Sequence, residues 1–308
     1  MSTLPALVVR SPGLASLVFA GPEAATFLHN QLSTDVAGMQ PGDAGWTTYN
    51  SPKGRMLATP LLYCRDASTF VAYVPEGIAE ALRKRLAMFV LRAKVTVAVR
   101  EGRHLAGVIG EGAGAAVAAA VGRAPEPGRG FTVDGTDVVA LPDGRILVDS
   151  DRAVDIAGAA VGVARWDWAG VRAGVPQIGA GTQDLFVAQT ANLDLLGGLN
   201  FRKGCYPGQE IVARMQYLGR LKERLFAFHV EGDVPAPGTR IVLGEDLAGV
   251  VVNGAAAPDG GSDLLAVVQV AAHEAGGLRV GSASGPALVP LPLPYAIPAP
   301  STPNRVKL

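Results

Sequence analysis

From Leu221 onward, glycine and proline cut the chain into apolar runs of six to ten residues: "ERLFAFHVEG", "GTRIVL", "LAGVVVNGA", "DLLAVVQVA" and "GLRVGSA". Runs this short, evenly spaced and rich in β-branched residues, predict strands of a small antiparallel barrel or sandwich. The same punctuation continues through the whole sequence, with 39 glycines and 22 prolines among 308 residues. That favours many turns and short strands over a helical bundle. With 49% apolar residues there is ample material for a core, and 308 residues is long for a single one. Two or three packed lobes are expected.

Before the barrel, helical and strand patterns alternate. "LVVRSPGLASLVFAGPEAATFLHNQLSTDV" reads as strand, turn, strand and helix. Glu23 lies in the helix's first turn, and Phe27, Leu28 and Leu32 share one face. "AGWTTYNSPKGRMLATPLLYC" reads as a hairpin turning at Asn50-Ser51-Pro52-Lys53-Gly54. A further strand, "TFVAYVP", precedes the helix "EGIAEALRKRLAMFVLR", with Ile78, Leu82, Leu86 and Phe89 as its inner stripe. Residues 104–165 alternate in the same way, with a strand, an Ala-rich helix at Ala113–Val121, a meander with Asp-Gly turns at 134–135 and 143–144, and a small helix. The expected organisation is an α+β lobe over 1–103, a second over 104–220, a β-barrel over 221–290 and a Pro-rich tail over 291–308.

Composition narrows the function. Formal net charge is zero, which argues against direct nucleic-acid binding and leaves any basic site local. Cys64 and Cys205 are the only cysteines; a reducing compartment is expected, and two thiols cannot ligate a whole iron–sulfur cluster. The first apolar segment is interrupted by Arg10 and Pro12, unlike a signal peptide. The longest charge-free stretch holds seven prolines between Pro286 and Pro303, which reads as an extended coat and not a membrane helix. The chain reads as soluble, cytoplasmic and monomeric. His29, His104, His229 and His273 are scattered, with no ligand cluster at metal spacing and no G-x-S-x-G, Walker loop or G-x-G-x-x-G after a strand.

Most of the chemistry is concentrated in "KGCYPGQEIVAR", Lys203–Arg214. Between Arg202 and Arg224, six cations (Arg202, Lys203, Arg214, Arg220, Lys222, Arg224) stand against Glu210 and Glu223, a local balance of 6 − 2 = +4. Such a run is either a solvated face or a site for phosphate or carboxylates. Pro207-Gly208 supplies a turn, and a helix begins there with Glu210 in its first turn, four residues before Arg214. Ile211, Val212, Met215 and Leu218 form its buried stripe, and Gly219 ends it. Cys205 precedes the helix N-terminus between cationic neighbours, surroundings that favour a thiolate over a buried, inert thiol. Cys64 ends an apolar strand and reads as core.

The segment "NLDLLGGLNFRKGCYPGQEIVARMQYLGRLKERL" resembles the signature of the YgfZ family, folate-binding proteins related to the glycine cleavage T-protein, an aminomethyltransferase. "RAGVPQIG" and "FLHNQLSTDV" resemble the family too, so the likeness covers roughly residues 10–290. It implies an α+β, T-protein-like ring of three domains: two α+β lobes and a small antiparallel β-barrel, around a channel for tetrahydrofolate or a derivative. It also implies an accessory role in assembling or maintaining iron–sulfur proteins, indirectly supporting tRNA modification, with iron–sulfur proteins or cluster carriers as transient partners and no membrane.

By the same resemblance, Lys203 and Cys205 are the catalytic candidates. Tyr206, Gln209, Glu210 and Arg214 match the signature as cofactor-binding candidates. Trp166 matches an aromatic position linked to folate, and indole is a good surface for stacking a pterin. Trp168 would then be the core residue. The chain departs from the family at Leu14, where an aromatic is expected, at Ala188-Gln189 in place of Pro-Gln, and at Arg172, where a glutamate often faces the pterin. "SPKGRMLATPL" also lacks the acidic residue that follows the aminomethyltransferase hairpin, so glycine-cleavage activity is not expected. Two alternatives stay open: a folate-dependent one-carbon transferase, and a non-catalytic docking module for protein or tRNA.

Overall fold

The computed structural model describes residues 6–218 and 221–298. Gly219, the side chain of Leu218 and the last prolines of the tail lie outside the described residues. The chain divides into two compact units: residues up to Thr47 together with Pro60–Ala169, and Thr48–Thr59 together with the residues from Gly170.

The first unit contains two sheets. One runs in the order Ala44–Trp46, Leu61–Asp66, Thr69–Pro75, Leu14–Ala20, Thr96–Val99, all antiparallel. The other runs Gly130–Val133, Thr136–Ala140, Ile146–Ser150, His104–Ile109, Leu7–Arg10, Ala159–Val161. Its last pair is parallel. Strand alternation explains how this second sheet buries both faces. Val9, Ile109, Val139 and Leu147 join Leu61, Tyr63, Val71, Tyr73 and Trp166 in one core. Their neighbours Val8, Val108, Val138 and Val148 pack against Ala113 and Val117 in another. Each fully buried aliphatic side chain contributes about 1.5–3 kcal/mol against leaving it in water.

Three helices of this unit follow the sequence pattern. Helix α1 (Ala24–Gln31) buries Phe27 and Leu28, with Leu32 buried at its C-cap. Helix α2 (Glu76–Ala87) buries Ile78, Ala79, Leu82 and Leu86. Phe89 is a correction: α2 ends at Ala87, and the ring, beyond the last helical turn, is 44% exposed. Helix α3 is Ala113–Val121, ending on Gly122 at φ +82. The Asp134-Gly135 turn joins Val133 to Thr136 with positive φ at both positions, the geometry a two-residue hairpin demands. Asp137 and Asp149 face each other across neighbouring strands at zero exposure. Arg100 bridges both at 2.7 and 2.9 Å, and Arg103 holds Asp149 at 2.7 Å, so neither carboxylate is buried without a counter-charge.

Helix α4 (Val163–Arg172) spans the boundary between the units. The second unit then continues through α5 (Gln209–Leu218) into a six-stranded antiparallel sheet. Its order is Arg279–Val280, Arg240–Leu243, Asp246–Ala256, Ser262–Gln269, Glu223–Val230, Leu288–Leu291, with α6 (Val270–Ala275) following the fourth strand in that order. The sheet curls around Phe228, Val251, Leu264, Ala266 and Val268 as a half-barrel. Among the described residues only an isolated bridge, Arg279 to Ala287, joins its two ends. The tail is partly structural: Leu288–Leu291 is an edge strand, a place that tolerates Pro290, and Tyr295 donates its hydroxyl to the Gly174 carbonyl at 2.7 Å.

Candidate functional site

The hairpin at 49–58 is the first component. Tyr49–Asn50 pairs with Met56–Ala58. The turn closes through Gly54 N–H to the Ser51 carbonyl at 2.9 Å and Ser51 N–H to the Arg55 carbonyl at 2.8 Å. A distant segment of the second unit clamps it. Met56 N–H donates to Phe186 and Asp184 N–H to Met56, each at 2.8 Å. Gln183 Nε2 donates to the Leu57 carbonyl at 2.7 Å.

The second component is the 200–212 segment. Asn200 Oδ1 accepts from the backbone N–H groups of Arg202 and Lys203 at 2.8 and 3.1 Å, an Asx-type turn that sets the direction of the chain. Gly208 takes φ +76, and α5 starts at Gln209, whose amide reaches back to the Lys203 carbonyl at 3.4 Å. Inside α5, Val212 is fully buried while Ile211 and Met215 are half-buried. The Val212 carbonyl accepts from the Gln189 amide at 2.6 Å.

The two components meet glycine to glycine. A Cβ on Gly208 would fall 2.5 Å from the Gly54 Cα and 2.6 Å from the Ser51 carbonyl oxygen; one on Gly54 would fall 2.7 Å from the Ile211 Cβ. No side chain fits at either position, so the hairpin tip is seated against the start of α5. Cys205 is exposed three residues before Gly208. The Lys203 ammonium lies 5.1 Å from the Tyr206 ring centroid, and burial pushes the Tyr206 phenol up to about 12, so that ring is a neutral platform. Arg202, Glu210 and Arg214 are exposed, and the Glu210–Arg214 ion pair that their spacing permits does not form. The local basic balance is also smaller than the sequence count. Arg224 is buried and forked onto Asp194 at 2.7 and 3.0 Å, and Arg220 lies outside the described residues.

Lys203, Cys205, Tyr206, Gln209, Glu210, Arg214 and Arg172 therefore belong to the second unit, and Trp166 to the first. Arg172 stands 3.8 Å from Asp263, whose carboxylate also accepts from His229 Nδ1 at 2.8 Å. The expectation that Trp166 offers an open stacking face is corrected: it is 1% exposed, inside the core of the first unit. The cause is local. Gly107 has no Cβ, and one would lie 2.5 Å from the indole, so the backbone packs directly on it. The Arg145 guanidinium lies 4.7 Å from the indole centroid, itself held by Asp143. Trp168 is the more exposed of the two. Cys64 is core, as expected; burial first, then the charges of Asp43 and Asp66, push its thiol up to about 11.

One group escapes sequence reasoning. Asp184, with φ +60, accepts a 2.6 Å hydrogen bond from Ser51 Oγ and so brings a carboxylate to the hairpin that lacks its own. The two residues are 133 positions apart, and no spacing rule connects them. Among the described residues no three His, Cys, Asp or Glu side chains converge as metal ligands, and no helix is long and apolar enough to cross a membrane.

No family model matches the chain. It is 30% identical to the tRNA-modifying protein YgfZ of Cronobacter sakazakii, over 96% of this chain and 94% of that one. It is 28% identical to the protein of the same name from Edwardsiella ictaluri, over 95% and 93%. Its fold matches the crystal structure of glycine cleavage system aminomethyltransferase T from Bartonella henselae with a TM-score of 0.74, at 18% identity, covering 94% of this chain and 86% of that one. Near-complete coverage at this identity, together with the signature turn seated on its hairpin, places the chain in the YgfZ family.

Proposed function

We propose that this protein binds tetrahydrofolate or a derivative and acts as an accessory factor for the assembly or maintenance of iron–sulfur proteins, thereby supporting tRNA modification. The observation that carries this reading is the seating of Gly54 on Gly208, which holds the turn carrying exposed Cys205 on a rigid base. Arg202, Lys203 and Arg214 suit the carboxylates of a glutamate-bearing cofactor. Tetrahydrofolate, when bound, supplies a carrier of one-carbon units. The chain's own contribution is a thiol on a fixed turn, cations around it and a neutral phenol beneath Lys203. One thiol does not hold a cluster, so Cys205 acts on a transient partner or on a folate-linked carbon.

The test is Cys205→Ser. Serine nearly conserves shape, so fold and tetrahydrofolate affinity by calorimetry should match wild type. Rescue of iron–sulfur enzyme activity in a strain lacking its own family member should be lost, because a hydroxyl is a far poorer nucleophile and soft ligand. Full rescue by the serine variant would reject the role of Cys205. No tetrahydrofolate binding by wild type would reject the folate reading.

A second reading, a folate-dependent one-carbon transferase, is supported by Asp184, which brings a carboxylate to the hairpin through Ser51; that chemistry requires a proton-transfer group within reach. Methylene transfer from tetrahydrofolate that is lost in Asp184→Asn would support it; no transfer by wild type would discard it.

A further inference from the structure

The first unit carries a cavity of about 420 Å³ beside the strands Leu61–Asp66 and Gly130–Val133. Three arginines line it, Arg65, Arg123 and Arg129, together with Tyr63, Phe131 and Glu126. They come from three places: the end of a strand of one sheet, the loop after α3, and the approach to a strand of the other sheet. Burial of apolar surface does not explain guanidinium groups gathered around one open space. Their hydrogen bonding indicates what the space is for.

Arg65 uses only Nε, which donates to Thr132 Oγ1 at 3.2 Å and lies 3.3 Å from Asp137. Its two terminal nitrogens donate to no described residue. Asp137 is already engaged by Arg100 and Thr132 at 2.7 and 2.6 Å, and it meets Arg65 through Nε alone. Arg129 engages Asp43 and reaches the Pro41 carbonyl at 3.4 Å, leaving Nε unspent. Arg123 has no hydrogen bond or ion pair among the described residues; its guanidinium lies 4.8 Å from the Phe131 ring centroid. Glu126, on the same wall, makes no ion pair with any of the three.

The whole guanidinium of Arg123, the two terminal nitrogens of Arg65 and Nε of Arg129, donors gathered around one space, match the oxygens of a phosphate, which can be met from several directions, better than a single carboxylate, which one fork satisfies. The space is too large for phosphate alone and falls within the range of pockets that hold small organic ligands. The Phe131 and Arg123 planes suit a flat heterocycle, and Glu126 suits a hydroxyl or amino donor. We propose that this cavity binds a nucleotide phosphate, on a free mononucleotide or within RNA. The site lies wholly in the first unit and does not depend on the folate reading.

Arg123 gives the clean test, because it is exposed and Arg123→Gln removes no ion pair. Binding of adenosine 5′-monophosphate, inorganic phosphate, adenosine and total tRNA is measured by calorimetry and filter retention on wild type, Arg123→Gln, Arg129→Gln and the surface control Arg152→Gln. The expected result is binding of the monophosphate above adenosine, weakened by about tenfold or more in Arg123→Gln and in Arg129→Gln, and unchanged in Arg152→Gln. tRNA retention that is stronger than monophosphate binding and lost in the same two variants would assign the phosphate to RNA. Failure of wild type to bind either the monophosphate or tRNA overturns the proposal. So does binding that both variants keep at wild-type strength while circular dichroism shows them folded.

Discussion

Two thiols sit in opposite surroundings. Cys64 is buried, donates weakly to the Asp66 carbonyl at 3.4 Å, and titrates only at about 11. Cys205 is exposed on the signature turn. Alkylation followed by mass spectrometry at about pH 7.5 should label Cys205 first, with Cys64 slow until the pH approaches about 11 or the protein unfolds. Prior labelling of Cys64 would contradict the burial. Trp166 is the residue at which sequence misleads. A tryptophan in a family motif says nothing about which way its ring faces; that is decided by Gly107, 59 positions earlier in the chain, which leaves room for the indole to pack inward. Trp166→Ala should therefore destabilise the protein by about 3–5 kcal/mol, as truncating a large core aromatic does. A melting temperature equal to wild type would show that the ring is dispensable to the core.

At the scale of elements, much was legible because local rules agree. The Asp134-Gly135 hairpin, the Ala-rich α3 and the curled sheet after Leu221 follow from turn chemistry and short-period patterning. What spacing could not show were long-range seats: Asp184 on Ser51, Arg100 between Asp137 and Asp149, and Gly208 on Gly54. The last can be dissected. Gly102 and Gly208 both have positive φ, but a Cβ on Gly102 meets nothing within 4 Å. Gly102→Ala should lose only the backbone contribution, about 1–2 kcal/mol. Gly208→Ala should lose more, since its methyl group would strike the backbone of Gly54 and Ser51. Denaturant midpoints compare the two directly, and equal losses would mean the hairpin tip is not seated in solution.

For the molecule as a whole, neutrality conceals local charge. Arg202, Lys203 and Arg214 leave the 202–214 segment basic even after Arg224 is spent on Asp194. Polyglutamylated tetrahydrofolate should bind more tightly than the monoglutamate at low salt. The difference should shrink as the screening length falls to about 8 Å at physiological ionic strength. Equal affinities in calorimetry at low salt would assign the basic segment to another ligand. Sequence pattern anticipated the mixture of sheets and the signature helix. It did not anticipate that the chain would leave one unit at Thr47, place a hairpin in the other and return at Pro60, since no composition change marks either crossing. That excursion bears on synthesis. The hairpin emerges from the ribosome about 110 residues before Gly170 begins the rest of its unit. At about 5–20 residues per second, its paired strands wait roughly 5–20 s for the segment that clamps them. A nascent chain arrested at Ala169 should therefore be cut by protease between Thr48 and Thr59, and the released full-length chain should not.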